Sequence, residues 1–191
     1  MKEKIIELLR STERPGIENL INHMEEIGFF TAPCSTQYHL CKEGGLAEHS
    51  LNVYLYMRNT AAGIGYYDPL TESSNSIIIT SLLHDLGKSG QFGKPNYIPN
   101  MIQDKKNKGE YVRSEAKPYE TNKDLLAVPH EIRSIHIASQ FIELTEQESF
   151  AVLFHNALYG DLKYAYTGKE TPLSMLLHFA DMWCSRVVEV E

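Results

Sequence analysis

The pair His84-Asp85 closes the most apolar stretch of the chain, Asn75 to Leu86, which carries Ile77, Ile78, Ile79, Leu82 and Leu83. An imidazole and a carboxylate buried there are costly unless they are paired or bound to a cation. A divalent metal ion removes that cost, because it takes neutral imidazole nitrogen and anionic oxygen as ligands. Residues of the same chemical types fall where other helices should pack against this stretch. His49 belongs to a helix whose inward face is marked by Leu46 and Val53. Asp181 shares an apolar stripe with Leu177 and Leu173, one and two turns earlier, where a carboxylate needs a partner. His130 opens one helix, and His155 follows Leu153-Phe154 near the end of another.

The elements that must position these groups are helical. Residues 2–10 read as a first helix stopped before Pro15. A second runs from about Ile17 to Ile27, with Leu20, Ile21 and Met24 at helical spacing and Gly28 as its stop. Phe29 to Glu43 contains Pro33, has no clear period and reads as irregular. Gly44-Gly45 opens a helix from about Leu46 to Ala61. The stretch 75–86 has the composition of a buried strand or a buried helix, and its length favours the helix. Helices are expected again at about 131–144 and from about 146 to 157. The second of these starts at the capping box Thr145-Glu146-Gln147-Glu148. Thr171-Pro172 supplies an N-cap with proline at the first helical position, for a last helix to about Val188. Residues 1–28 are thus N-terminal helices leading into one all-α domain that spans 1–191.

Between Lys88 and Ala127 the helical period fails, and Gly90, Gly93, Pro95, Pro99, Gly109 and Pro118 interrupt the chain. An excursion of this length in a small domain is usually functional or disordered. We expect residues 89–128 to form an inserted loop or lid, with a β-hairpin turning near Asn107-Lys108-Gly109. Within 104–123, Lys105, Lys106, Lys108, Arg113, Lys117 and Lys123 outnumber Asp104, Glu110, Glu115 and Glu120, so the excursion is mildly basic. The whole chain is acidic, with a net charge of −7 over 191 residues. That charge argues against tight binding of long nucleic acid or of anionic lipid. The first residues lack the basic start and apolar core of a signal peptide, and no stretch is apolar enough to span a membrane. Cys34, Cys41 and Cys184 are odd in number and contain no CxxC pair, so they form neither a disulfide framework nor a zinc knuckle. A cytoplasmic location follows from these readings, and self-association into a homo-oligomer stays open.

The order His49, His84-Asp85, Asp181 resembles the H…HD…D signature of the HD-domain superfamily of metal-dependent phosphohydrolases. The flanks agree: Gly44-Gly45-Leu46 before the first histidine, Leu83-His84-Asp85-Leu86-Gly87-Lys88 around the pair, and Ala180-Asp181 near the end. The resemblance spans about Phe29 to Arg186. It implies that His49, His84, Asp85 and Asp181 surround a first divalent ion. Members with two ions add two histidines between the central pair and the last aspartate. His130-Glu131, followed by Ser134, and His155-Asn156 stand in that order. The resemblance therefore implies a second ion held by His130, His155 and a bridging Asp85. Many binuclear relatives carry a second histidine where this chain has Asn156. The metal is drawn from Mn, Fe, Ni, Co, Zn or Mg, since sites of this type accept several divalent ions.

The implied chemistry is hydrolysis of a phosphate ester, of a nucleotide or short oligonucleotide, by metal-activated water. Asp85 would bridge the ions or orient the nucleophile, and Lys88 would neutralise a phosphate oxygen as charge builds. For Lys88 an ordinary helix-end lysine is the competing reading. His39 lies just upstream of Gly44-Gly45-Leu46, where exonuclease-like relatives also carry histidine, and is a candidate leaving-group or phosphate contact. His23, His136 and His178 read as structural. Two other functions compete: oxygen activation by two iron ions on the same six ligands, and a ligand-binding module without turnover. The second predicts damaged ligand positions, and the chain has none.

Overall fold

In the computed structural model, residues 1–66, 68, 72–160 and 162–190 are described. The apolar run that composition leaves between strand and helix is a helix, α4 (Glu72–Leu83), with Ile77, Ile79 and Leu82 fully buried. A helix apolar on every face must be surrounded. Around α4 stand α1 (Lys2–Ser11), α3 (Gly45–Gly63), α6 (Glu146–Phe154) and α8 (Pro172–Trp183), while α3 and α6 also pack on α8. α2 (Ile17–Glu26) packs on α1 and ends at Gly28, whose φ of 76° lies in the left-handed region. The short α7 (Lys163–Tyr166), which has no sequence signal, places Tyr166 in the core.

Both capped starts take the form their sequences predict. Thr145 accepts from Glu148 N and the Glu148 carboxylate accepts from Thr145 N, and Thr171 and Ser174 make the equivalent reciprocal pair with Pro172 at N1. Glu148 is also a structural anchor. Its buried carboxylate accepts a two-pronged pair from Arg14 at 2.6 and 2.8 Å and a hydrogen bond from Ser76 Oγ at 2.8 Å. It thereby ties the chain between α1 and α2 to α4 and α6.

Two predicted helices end early. α5 covers His130–Ala138 rather than 131–144, because the chain turns at Ser139 to pack against the start of α2. There the Phe141 carbonyl comes so close to Gly16 that a Cβ would meet it at 1.9 Å. The last helix is α-helical only to Trp183, and a π-turn, Cys184–Val188, follows. The inserted segment is more ordered than a loop. β1 (Gly90–Gln91) pairs with β2 (Lys94–Pro95), and β3 (Tyr97–Pro99) with β6 (Tyr119–Thr121). β4 (Met101–Gln103) pairs with β5 (Tyr111–Arg113), all three pairs being antiparallel. The hairpin expected near 107–109 is therefore present, as the β4–β5 ribbon, and its tip is pinned by Asp104 and Asn107. Among the described residues no helix is long and apolar enough to cross a membrane.

Candidate metal centre

Four histidines turn the same edge inward because their other edge is occupied. His84, after the last turn of α4, sets Nδ1 2.9 Å from the Ser81 carbonyl, and His155, after α6, sets Nδ1 2.7 Å from that of Val152. His49, on α3, directs Nδ1 at Glu189 Oε2 (2.9 Å), and His130, the first residue of α5, faces Glu131 Oε2 at 3.5 Å. The carbonyls of Ser81 and Val152 and the Glu189 carboxylate can only accept, so Nδ1 donates to them, and Nε2 is the edge that each ring turns towards a common centre.

That centre is the Asp85 carboxylate, 1% exposed. Oδ2 lies 3.6 Å from His49 Nε2 and 3.5 Å from His84 Nε2; Oδ1 lies 3.1 Å from His130 Nε2 and 3.6 Å from His155 Nε2. Asp181 closes the first group, with Oδ1 3.1 Å from His49 Nε2 and 4.0 Å from His84 Nε2. Lys88 Nζ donates to Asp85 Oδ2 at 2.6 Å. The structure thus brings together all six residues that the resemblance names as ligands, with Lys88 against the shared carboxylate. Their donor atoms form overlapping groups spaced closely enough to hold a metal ion: His49, His84 and Asp85; His84, His155 and Asp181; Asp85, His130 and His155.

Charge is held firmly here. Burial alone would push the Asp85 carboxyl up, but Lys88, His84 and the rings of His130 and His155 hold it well below the ordinary range. Asp181 is likewise held down against its burial, chiefly by His49. Burial lowers His84 to about 3, so its ring is neutral at pH 7. His49 goes the other way: burial opposes its charge, but Cys34, Asp181 and Glu189 carry it well above the usual histidine value. The Cys34 thiol, pushed up to about 11 by burial, is uncharged near neutrality, which leaves the two carboxylates as the source. The centre is a place where positive charge is favoured.

The first group fits a divalent ion on the chemistry of its atoms. His49 Nε2 and His84 Nε2 are buried and make no well-formed hydrogen bond, although Asp181 Oδ1 stands 3.1 Å from the former; buried polar atoms rarely tolerate that condition unless a ligand satisfies them. The second group is capped. The Asn156 amide nitrogen lies 2.9 Å from His155 Nε2 and 3.2 Å from His130 Nε2, so a second ion requires that amide to rotate away.

Several supporting residues carry no sequence signal. Glu189 reaches His49 across 140 positions, holds Asn52 with its other oxygen, and is carried there by the π-turn that ends α8. His178 is structural, as its position suggests: Nδ1 meets the His155 carbonyl at 2.6 Å and its ring stacks on Tyr159. Gly87 lets α5 approach the Asp85 turn. A Cβ there would lie 2.3 Å from the His130 carbonyl, and its N–H donates to Ser134 Oγ at 2.8 Å. His39 turns Nε2 to Cys34 Sγ at 3.3 Å and stands 4.0 Å from Glu189 Oε2. His23 faces Glu26 and Phe141, and His136 faces Gln140, away from the centre.

The helical body gathers four imidazoles and two carboxylates around one buried point, an arrangement positioned for metal binding. A family model, the HD domain, matches residues 46–182, from the start of α3 to just past Asp181. The chain belongs to the HD-domain superfamily of metal-dependent phosphohydrolases. No curated protein and no solved structure gives a significant match to it.

Proposed function

We propose that the protein hydrolyses a phosphate ester of a nucleotide or short oligonucleotide at the Asp85 centre. The observation that carries this reading is the split presentation of Asp85, one oxygen towards His49 and His84 and the other towards His130 and His155, with an ammonium beside it. His49, His84, Asp85 and Asp181 would hold a first divalent ion, and His130 and His155, sharing Asp85, a second. Such ions lower the pKa of a coordinated water towards neutrality and polarise phosphoryl oxygens.

The chain's own groups do the rest. Asp85 stays ionised and accepts a hydrogen bond from the attacking water, fixing its direction. Lys88 has two N–H bonds beyond the one given to Asp85, and offers one to a phosphoryl oxygen as negative charge grows. Its ammonium is secure: burial would lower its pKa, but Asp85 carries it well above the ordinary lysine value. The mouth lies where His130, Lys88 and Asp181 keep partial exposure.

Residues 89–128 act as the lid that selects the substrate. Tyr97, on β3, stands within reach of the Lys88 and Asp85 charges; burial pushes its phenol up against the pull of Lys88. Further out, Lys105, Lys106 and Lys108 are exposed at the ribbon tip. A short phosphorylated ligand suits this arrangement, whereas the −7 net charge disfavours long nucleic acid. The test is phosphate release from a panel of nucleotides and simple esters by protein loaded with manganese, cobalt, nickel or iron. Turnover in the wild type and its loss in Asp85→Asn support the assignment. Absence of turnover across panel and metals overturns it.

A further inference from the structure

The His49 ring works on two edges. Nε2 faces Asp85 and Asp181, while Nδ1 faces Glu189. Beside this ring stand two more donor side chains that the hydrolytic reading leaves unused as ligands, Cys34 and His39. Cys34 Sγ is 3.3 Å from His39 Nε2, and that nitrogen is 4.0 Å from Glu189 Oε2. Donor atoms of Cys34, His39 and His49 all lie within 4.8 Å of one another. We propose that Cys34, His39 and Glu189 form a further metal site, separate from the Asp85 centre, for a borderline-soft divalent ion of the zinc class.

The spacing suits such an ion. Two donors on a tetrahedral zinc, at its usual sulfur and nitrogen bond lengths, stand about 3.5 Å apart. The Cys34–His39 separation already matches, and Glu189, whose Oε2 lies 4.0 Å from His39 Nε2, would have to close that gap to join them. Its Oε2 keeps a lone pair after accepting from His49. A thiolate and a carboxylate together balance the charge of a divalent ion.

The backbone between the donors is built to bring them together. Cys34 N donates to the Leu40 carbonyl (3.1 Å), Ser35 Oγ donates to the His39 carbonyl (2.9 Å), and Tyr38 N donates to Ser35 Oγ (2.9 Å). Leu40 accepts a positive φ of 47° to close the loop. Cys34 is fully buried and fixed in the core, whereas His39 is partly exposed. In front of it opens a cavity of about 510 Å³ lined by Tyr38, His39, Lys42, Ser185 and Glu189. The cavity gives an ion its way in and leaves the fourth position to water.

The donor types then sort the metals. Sulfur at Cys34 selects zinc, cobalt or a softer ion, while the nitrogen and oxygen set around Asp85 also accepts harder ones. An ion on Glu189 would tie the turn after α8 to the 34–40 loop and fix the carboxylate that orients His49.

The test is an anaerobic titration of the chelator-stripped, full-length protein with cobalt(II). We expect a near-ultraviolet sulfur-to-cobalt charge-transfer band whose limiting intensity corresponds to one sulfur-bound cobalt per chain, beside the cobalt that the Asp85 centre takes up. Cys34→Ser should abolish it, and His39→Gln, on the cavity rim where folding is not at stake, should weaken cobalt affinity by about tenfold or more. The band should survive in Cys184→Ser and in Asp85→Asn; persistence in the latter separates this site from the Asp85 centre. A wild type without the band, or a band unaffected by both Cys34→Ser and His39→Gln, overturns the proposal.

Discussion

His130 Nε2 stands 3.1 Å from Oδ1 of Asp85, the oxygen which that carboxylate turns away from Lys88. The contact joins the first residue of α5 to the turn after α4, and it exists because Gly87 has no side chain to hold the two apart. It also divides the centre into a first group with unsatisfied nitrogens and a second group that Asn156 covers.

That division predicts unequal metal affinities. Asn156→Ala removes the amide that occupies His130 and His155, so a second ion should bind about tenfold or more tightly, with the first unchanged. Isothermal titration of stripped protein with manganese reads both steps. Loss of the second step in Asn156→Ala would mean that the amide is itself a ligand.

The basic ribbon predicts where specificity lies. Shortening the tip by removing Lys105–Lys108 should alter the ranking of phosphate esters while metal content stays constant. An unchanged ranking would show that residues 89–128 do not select the substrate.

Much of this was legible because the decisive signals are local. Thr145 and Thr171-Pro172 announce their helices through cap chemistry within one turn, and His84-Asp85 stands out as two polar groups on an apolar run. Asp181 stands out likewise, on the Leu173–Leu177 stripe. What stayed hidden is non-local. Glu189 reaches His49 only because the chain leaves α8 through a π-turn, and α5 stops at Ala138 because Phe141 must meet Gly16. Only one hairpin was readable in a segment that forms three strand pairs. Its other strands are two or three residues long and are paired by contacts across the excursion rather than by alternation.

The metal-free protein should show an unusual histidine. Burial holds His84 at about 3, whereas an unfolded-chain histidine titrates near ~6.5. As pH falls through that window the unfolded state takes up a proton that the folded state refuses, so this residue's effect is to lower stability from about pH 6.5 down to about 3. His49 and His155 are raised and act in the opposite sense, with stability lost as pH rises through their folded values. Chemical-shift titration of the His84 ring isolates its share. The ring should stay neutral at pH 5, and a midpoint near 6.5 would contradict the burial argument.

Glu148 should matter more to stability than any helix cap. Glu148→Ala strands a largely buried Arg14 guanidinium and frees Ser76, and should cost about 3–5 kcal/mol in denaturant unfolding. Thr145→Ala, which removes only the cap, should cost about 1 kcal/mol. Equal losses would show that the Arg14 pair adds nothing beyond the cap.

The central claim is that the carboxylate of Asp85 organises a divalent-metal centre, and the most direct measurement is manganese stoichiometry. Chelator-stripped protein is reloaded with manganese, desalted and analysed for metal per chain, alongside Asp85→Asn with its fold verified by circular dichroism. Manganese is a hard ion and should ignore the Cys34 sulfur. At least one equivalent in the wild type and none in Asp85→Asn is the predicted result. A wild type that takes up no manganese, or an Asp85→Asn protein that retains the full amount, would contradict the account.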